Sequence, residues 1–344
     1  MTERPKQRPS IHDVAREAGV SITTVSHSLN GRGRVLPETR DRVVAIAESL
    51  GYSANVHAQR LATGIHKTIA LQVSGYGPNI VGVDSAYYID LLNSASATAL
   101  ELGYMPILTP PDVTNKLIQL AADGALILDP TGDEPLMKAV NEAGGIVVTA
   151  GRPMLNRSSV AGWVDNDLPT LTIEVLDHLE SMGYEQPALI TGSRERSYAA
   201  DTIRAYEQWV GERGKASNVE EVRDNPTADV AISTARRLLE REPRPDSIYA
   251  SFDVFALGAL RVAKSMGLDV PNDLGIVATV DSQGLRSASP ALTAIDNHPS
   301  ELGAKAIRML IGLLGGTIEP PVTEIVPAEL QVRESTARSG SPFA

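Results

Sequence analysis

Residues 10–30, SIHDVAREAGVSITTVSHSLN, put several hydroxyl side chains and one imidazole on a segment that reads as the second of two short helices. The chemistry open to such a helix is hydrogen bonding to base edges in the DNA major groove. The elements that must position it are legible nearby. Ser10 with Asp13 three residues on can form a capping box at the start of the first helix. Val14, Ala18, Val20, Val25 and Leu29 are apolar at helical or turn spacing, enough for a small core. Gly19 stands where a left-handed residue lets two helices meet at a steep angle. Ser21 can cap the second helix and leave its side face polar.

Charge supports the same chemistry. The 344-residue chain carries a net −11 overall. Residues 1–65, however, hold nine Lys/Arg against six Asp/Glu, a net +3, and the remainder carries −14. A basic head on an acidic body localises attraction to phosphate at one end. The hydrophobic share of 42% and the charged share of 21% are those of a globular protein of two or three domains. No run approaches a membrane span, MTERPKQRPS lacks the apolar core of a secretory signal, and cysteine is absent. These features lead us to expect a cytoplasmic protein without disulfides or thiolate metal sites. The six histidines (12, 27, 57, 66, 178, 298) show no metal-ligand spacing. No cofactor is expected.

After a turn, GRGRVL (31–36), residues 37–52 read as a third helix. Pro37 suits its first turn, Val43, Val44, Ile46, Ala47 and Leu50 form its apolar face, and Gly51 stops it. A short helical segment, SANVHAQRLATG (53–64), precedes the body. In the body, strands are expected at 68–73, 105–108, 124–128, 145–150, 187–191, 220–223, 247–250 and 274–279. Helices are expected at 88–103, 117–122, 136–143, 170–182, 198–213, 228–241 and 255–265. Such alternation predicts parallel sheets covered by helices, in two blocks, with a ligand cleft at the carboxyl ends of the strands.

From Ser10 to Leu61 the chain resembles the LacI/GalR family of bacterial transcription regulators, whose head piece runs D-V-A-x-x-A-G-V-S-x-x-T-V-S-R-x-L-N and then L-G-Y-x-P-N-x-x-A-x-x-L. The resemblance extends through VDN (164–166), FDVFALGALRVAKSMGLDVPNDLGIV (252–277), SPALTAI (289–295) and HPSELGAKAIRMLIGLLGG (298–316). It implies a small all-α helix-turn-helix head piece joined by a hinge helix to an α/β, two-lobed, type I periplasmic-binding-protein-like core. The expected boundaries are 1–52 for the head and 53–66 for the hinge. The core is 67–335, with lobe one at about 67–164 and 296–322 and lobe two at about 165–294 and 323–335. A polar tail, 336–344, has no leucine heptad and implies no tail-driven tetramer. Crossings between the lobes are expected near 164, 295 and 323.

The resemblance also assigns roles. Ile22, Thr23 and His27 fall where the family reads base edges. Ser21, Thr24, Ser26, Asn30 and Thr39 fall where it contacts phosphate. Asn55, Ala58 and Leu61 fall on the hinge helix, whose leucine wedges into the minor groove. Three departures stand out. His27 replaces a recognition arginine, Leu36 replaces the serine that caps the third helix, and Ala54 replaces the proline before Asn55. Tyr87, Tyr88, Tyr249, Phe252 and Asp281 fall at effector-facing positions. Registering on Ala205 and Tyr206 puts Thr202 in the slot of the effector-clamping arginine, leaving Arg194, Arg196, Tyr198 and Asp201 as nearby substitutes. The expected function is a sequence-specific regulator, with repression as the expected sign. It would bind a near-palindromic operator as a homodimer, gated by a sugar, polyol or nucleoside-like effector. The alternative is a regulator whose cleft has degenerated and takes no effector. An enzyme is not expected, because no phosphate loop or nucleophile elbow is present.

Overall fold

The computed structural model describes residues 9–29, 33–52, 66–74, 86–111, 122–223 and 226–338. Asn30, Asn55, Ala58 and Leu61, the hinge segment 53–65, most of the helix expected at 117–122 and the tail beyond 338 lie outside the described residues. The chain divides into two compact units, Met1–His66 and Lys67–Ala344.

In the first unit, α1 (Ile11–Ala18), α2 (Ile22–Leu29) and α3 (Pro37–Leu50) form as their local signals dictate. The backbone N–H and hydroxyl of Ser10 both donate to Asp13, at 2.9 and 2.7 Å. These bonds hold the Asp13 carboxyl below its ordinary range. Gly19 takes φ +63°, a conformation in which a side chain would cost roughly 1–2 kcal/mol. The turn it makes lets the Val20 N–H return to the Ala15 carbonyl at 3.1 Å. Ser21 Oγ accepts from the Thr24 N–H at 3.1 Å and so caps α2. Val14, Ala15, Ala18, Val25, Val43 and Ala47 make the core, with Val20 and Leu29 packed at its edge.

Helix α3 begins at Pro37 with no side-chain cap, and Leu36 is 74% exposed. Leu36→Ser therefore supplies a missing acceptor to the first turn and removes an exposed apolar group. It should stabilise the head by ~1 kcal/mol. Thermal unfolding of the head measures this, and an unchanged or lower transition temperature would count against it.

The second unit holds two six-stranded sheets. The first has the order β11-β5-β4-β3-β1-β2, with β1 (Thr68–Val73), β2 (Met105–Leu108), β3 (Gly124–Leu128), β4 (Ile146–Ala150), β5 (Gly162–Asp165) and β11 (Val322–Ile325), all parallel. The second has the order β12-β10-β9-β8-β6-β7, with β6 (Pro187–Thr191), β7 (Val219–Glu221), β8 (Ser247–Ala250), β9 (Gly275–Ala278), β10 (Thr293–Asp296) and β12 (Glu329–Gln331), the last antiparallel to β10. TIALQV of β1 and GALIL of β3 are buried throughout, as strands covered on both faces must be. Helices α4 (Ala86–Glu101), α5 (Pro135–Glu142) and α11 (Pro299–Leu314) accompany the first sheet. The second carries α6 (Leu168–Ser181), α7 (Ser197–Glu212), α8 (Ala228–Leu239), α9 (Asp253–Ser265) and the single turn α10 (Gln283–Arg286).

The chain crosses between the sheets after β5, after β10 and after β11. These crossings fall two or three residues later than 164, 295 and 323, because β11 stays paired with β5 until Ile325 meets Asp165. Asn166 fastens all three together. Its Nδ2 donates to the carbonyls of Asn297 at 3.3 Å and Val326 at 2.9 Å. Among the described residues no helix is long and apolar enough to cross a membrane.

Candidate DNA-reading helix and interlobe cleft

On α2, Val25 and Ser28 point into the head core, which turns Thr23 and His27 outward by helical geometry. Ser21, Ile22 and Thr23 are exposed, and Thr24, Ser26 and His27 are half-buried. Thr39 is half-buried in the first turn of α3. The His27 ring lies against the backbone of Gly33, where a Cβ would stand 2.5 Å from Nδ1. Gly33 thus seats the imidazole, a role that the glycine-bearing turn alone did not reveal.

In the second unit, a narrow cleft of about 40 Å³ lies between the carboxyl ends of the two sheets. Tyr87, Tyr88, Asp129 and Asp165 line it from the first lobe, and Tyr198, Phe252 and Thr279 from the second. Asn166 and Asn297 line it from the crossings. The Tyr87 and Tyr88 rings meet edge to face at 5.3 Å, as do Tyr198 and Phe252 at 5.6 Å. The Tyr88 hydroxyl donates to the Asp129 carboxylate. Arg196 reaches across from the second lobe and donates to the Asp129 backbone carbonyl. Nη2 of Arg152, in the first lobe, donates to both carboxylate oxygens of Asp201 of α7, at 2.9 and 2.7 Å, and Arg204 donates to Asp201 at 2.7 Å.

Four expected cleft residues, Tyr87, Tyr88, Tyr198 and Phe252, therefore come together. Three do not. Arg194 turns away to Glu221, its Nε 2.9 Å from Oε2. Tyr249 is fully buried within the second sheet's core, where burial raises its phenol. Asp281 is bound by Arg333, at 2.9 and 2.8 Å, and by Arg286 at 2.7 Å. These contacts hold each of the three outside the cleft lining. Thr202, in the arginine slot, is buried with its hydroxyl unpartnered. Sequence reasoning missed Asp129, Asp165 and Asn297, although each directly follows or closes a strand at its carboxyl end, where α/β clefts take their ligands.

Burial dominates the electrostatics. It raises the Asp129 carboxyl despite the opposing effects of Tyr88 and Arg196. It raises Asp165 to about 7, against the N–H donors of Asn166 and Arg152, with Asp129 and Asp201 adding to the rise. Burial, then the charges of Asp129 and Asp165, push the Tyr87 phenol well above 10. A carboxyl raised on folding stabilises the folded state fully below its unfolded value of 3.8, and that contribution is lost as pH rises through about 7. Asp165→Asn should therefore gain stability relative to the parent chain between pH 5 and pH 8. The gain across that window is ~3 kcal/mol. Denaturation at the two pH values measures it, and a pH-independent difference would refute it.

A wider groove at the amino ends of the second sheet's strands is lined by Glu180, Lys215 and Arg241 among others. Its charges are already paired, Glu180 with Arg213 and Lys215 and Arg241 with Glu220, which makes it a solvated ion-pair surface. Among the described residues no group of three or more His, Asp or Glu is placed to hold a metal.

Comparison with known proteins agrees with this arrangement at both ends of the chain. Residues 10–55 match the family model described as bacterial regulatory proteins, lacI family, and residues 176–336 match a periplasmic binding protein-like domain. The HTH-type transcriptional regulator CelR of Thermobifida fusca is 29% identical over 339 residues, covering 96% of this chain and 99% of its own length. Catabolite control protein A of Priestia megaterium is 27% identical over 347 residues, covering 95% and 99%. Among solved structures, a CelR–cellobiose complex has a TM-score of 0.72 at 28% identity, covering 95% of this chain and all of that one. A lac repressor dimer bound to operator and the anti-inducer ONPF has a TM-score of 0.78 at 21% identity, covering 96% and 100%.

Proposed function

Because the chain belongs to the lacI family of bacterial regulatory proteins, and so is a transcriptional regulator and not an enzyme, we propose that it is a repressor. In this reading it binds a near-palindromic operator as a homodimer and is gated by a small sugar-like effector in the interlobe cleft. The observation that carries the DNA part is the family-matched head, in which α2 buries Val25 and presents Ser21, Ile22 and Thr23 to solvent. One head has too little interface to select a site among a genome's competitors. Apolar residues suited to a dimer surface are exposed on α4 and edge strand β2: Ile89 at 55%, Leu100 at 61%, Met105 at 55% and Leu108 at 46%. The regulator CelR, which has been solved with cellobiose, supports a sugar-like effector.

Gating follows from differential contacts. Arg152–Asp201 and Arg196–Asp129 span the lobes, so both depend on closure about the Asn166 hinge. A ligand that changes closure changes DNA affinity by linkage, and only by its differential affinity for the two states. The reading without an effector draws on Thr202, which offers no charge where the arginine is expected. Operator affinity of the full chain, measured with and without saturating cellobiose and related sugars, tests the proposal. A change of tenfold or more supports gating, and none with any sugar supports the degenerate cleft. Separately, His27→Arg should change base preference at one position per half-site, because arginine reads guanine through two donors and imidazole through one group per edge. An unchanged site preference would remove His27 from the reading set.

A further inference from the structure

We propose that the effector carries a protonated amine, as an aminosugar does, and that Asp129, Asp165 and Asn297 receive its ammonium group. The inference rests on the cleft being the effector site. Asp129 follows β3 and Asp165 closes β5, so two carboxylates enter one cleft from the carboxyl ends of two strands that flank β4. An independent observation supplies the third acceptor. Asn297, 4% exposed, lines the same cleft, and its Oδ1 has no hydrogen-bond partner. A buried acceptor left unpaired is unfavourable and implies a donor that binds there. Three acceptors match the three donors of an ammonium group.

The charges point the same way. The Arg152 guanidinium is committed to Asp201. Arg196 bonds the backbone carbonyl of Asp129 and offsets its carboxyl's burial only in part. Burial raises both cleft carboxyls, and their mutual repulsion adds to the rise at Asp165. A bound cation would relieve both effects. A neutral sugar would leave that charge unmatched, and an anionic ligand would add to it. Tyr87, Tyr198 and Phe252 supply aromatic surface in the same cleft, able to stack on a sugar ring or to face a cation.

The test is isothermal titration of the full chain at pH 7 with matched ligands: glucosamine, N-acetylglucosamine and glucose, and the corresponding β-1,4-linked dimers. The amine form in either set of three should bind at least tenfold more tightly than its acetylated and hydroxyl counterparts. That advantage should shrink at least tenfold in Asp129→Asn and Asp165→Asn, with far-ultraviolet circular dichroism unchanged. Equal or tighter binding of a neutral sugar overturns the amine assignment and leaves the effector reading standing. Binding of none of the six overturns both.

Discussion

Val25→Asp is expected to abolish specific DNA binding, lowering affinity by more than a hundredfold, while the body stays folded. Val25 is fully buried at the centre of a core of six buried residues. The substitution removes roughly 1.5–2 kcal/mol of apolar burial and forces a carboxylate into an apolar core. An unpaired polar or charged group there costs several kcal/mol more. A domain of this size has only a few kcal/mol in reserve, so the head unfolds. The body is a separate compact unit with its own cores. Both tryptophans of the chain, Trp163 and Trp209, lie in it, and their fluorescence reports its state. Fluorescence anisotropy with labelled operator measures the DNA side. Retention of affinity within tenfold would show that the head does not depend on this core.

Asp281→Ala is expected to destabilise the body by about 2–4 kcal/mol. The Asp281 side chain is 7% exposed and Arg333 is 18% exposed. Arg333 makes two bonds to the carboxylate and a third, at 2.7 Å, to the Leu292 carbonyl. Removing the carboxylate leaves a largely buried guanidinium with the carbonyl alone, and breaking a buried pair from one side typically costs 3–5 kcal/mol. Partial exposure puts this case at the lower end. Burial alone would raise the Asp281 carboxyl, but the bonds from Arg333 and Arg286 outweigh it and hold the carboxyl below 3.8. Its contribution is therefore present at neutral pH and is lost as pH falls through the lowered folded value. Urea denaturation at pH 7 and pH 3 checks both the size and the sign. An unchanged midpoint with a lost effector response would return Asp281 to the cleft.

Why some of this was legible in the sequence is a matter of range. The head was, because its determinants act over three or four residues: Ser10 on Asp13, Gly19 at φ +63°, Ser21 on Thr24. Strands β1 and β3 were, because burial on both faces leaves them mostly apolar, with Thr68 and Gln72 the polar members of β1. Strands β11 and β12 were not. VTEI and ELQ are short and charged, and they become strands only by pairing with β5 and β10, far away in sequence. The cleft divides in the same way. The positions of Tyr87, Tyr88, Tyr198 and Phe252 follow from the resemblance to the family's motifs. The pairing of Asp281 was not legible, because its main partner, Arg333, lies 52 residues on. Nor was that of Arg194, because Glu221 lies 27 residues on.

Selection of bound duplexes from a random-sequence library by the full chain, at about physiological salt, tests the central claim most directly. A dimeric reader predicts one two-fold-symmetric consensus with two half-sites, bound ~10³-fold or more tighter than unrelated duplex. That enrichment should vanish in Val25→Asp. A bound pool with no consensus, held equally well whatever its sequence, would contradict the account.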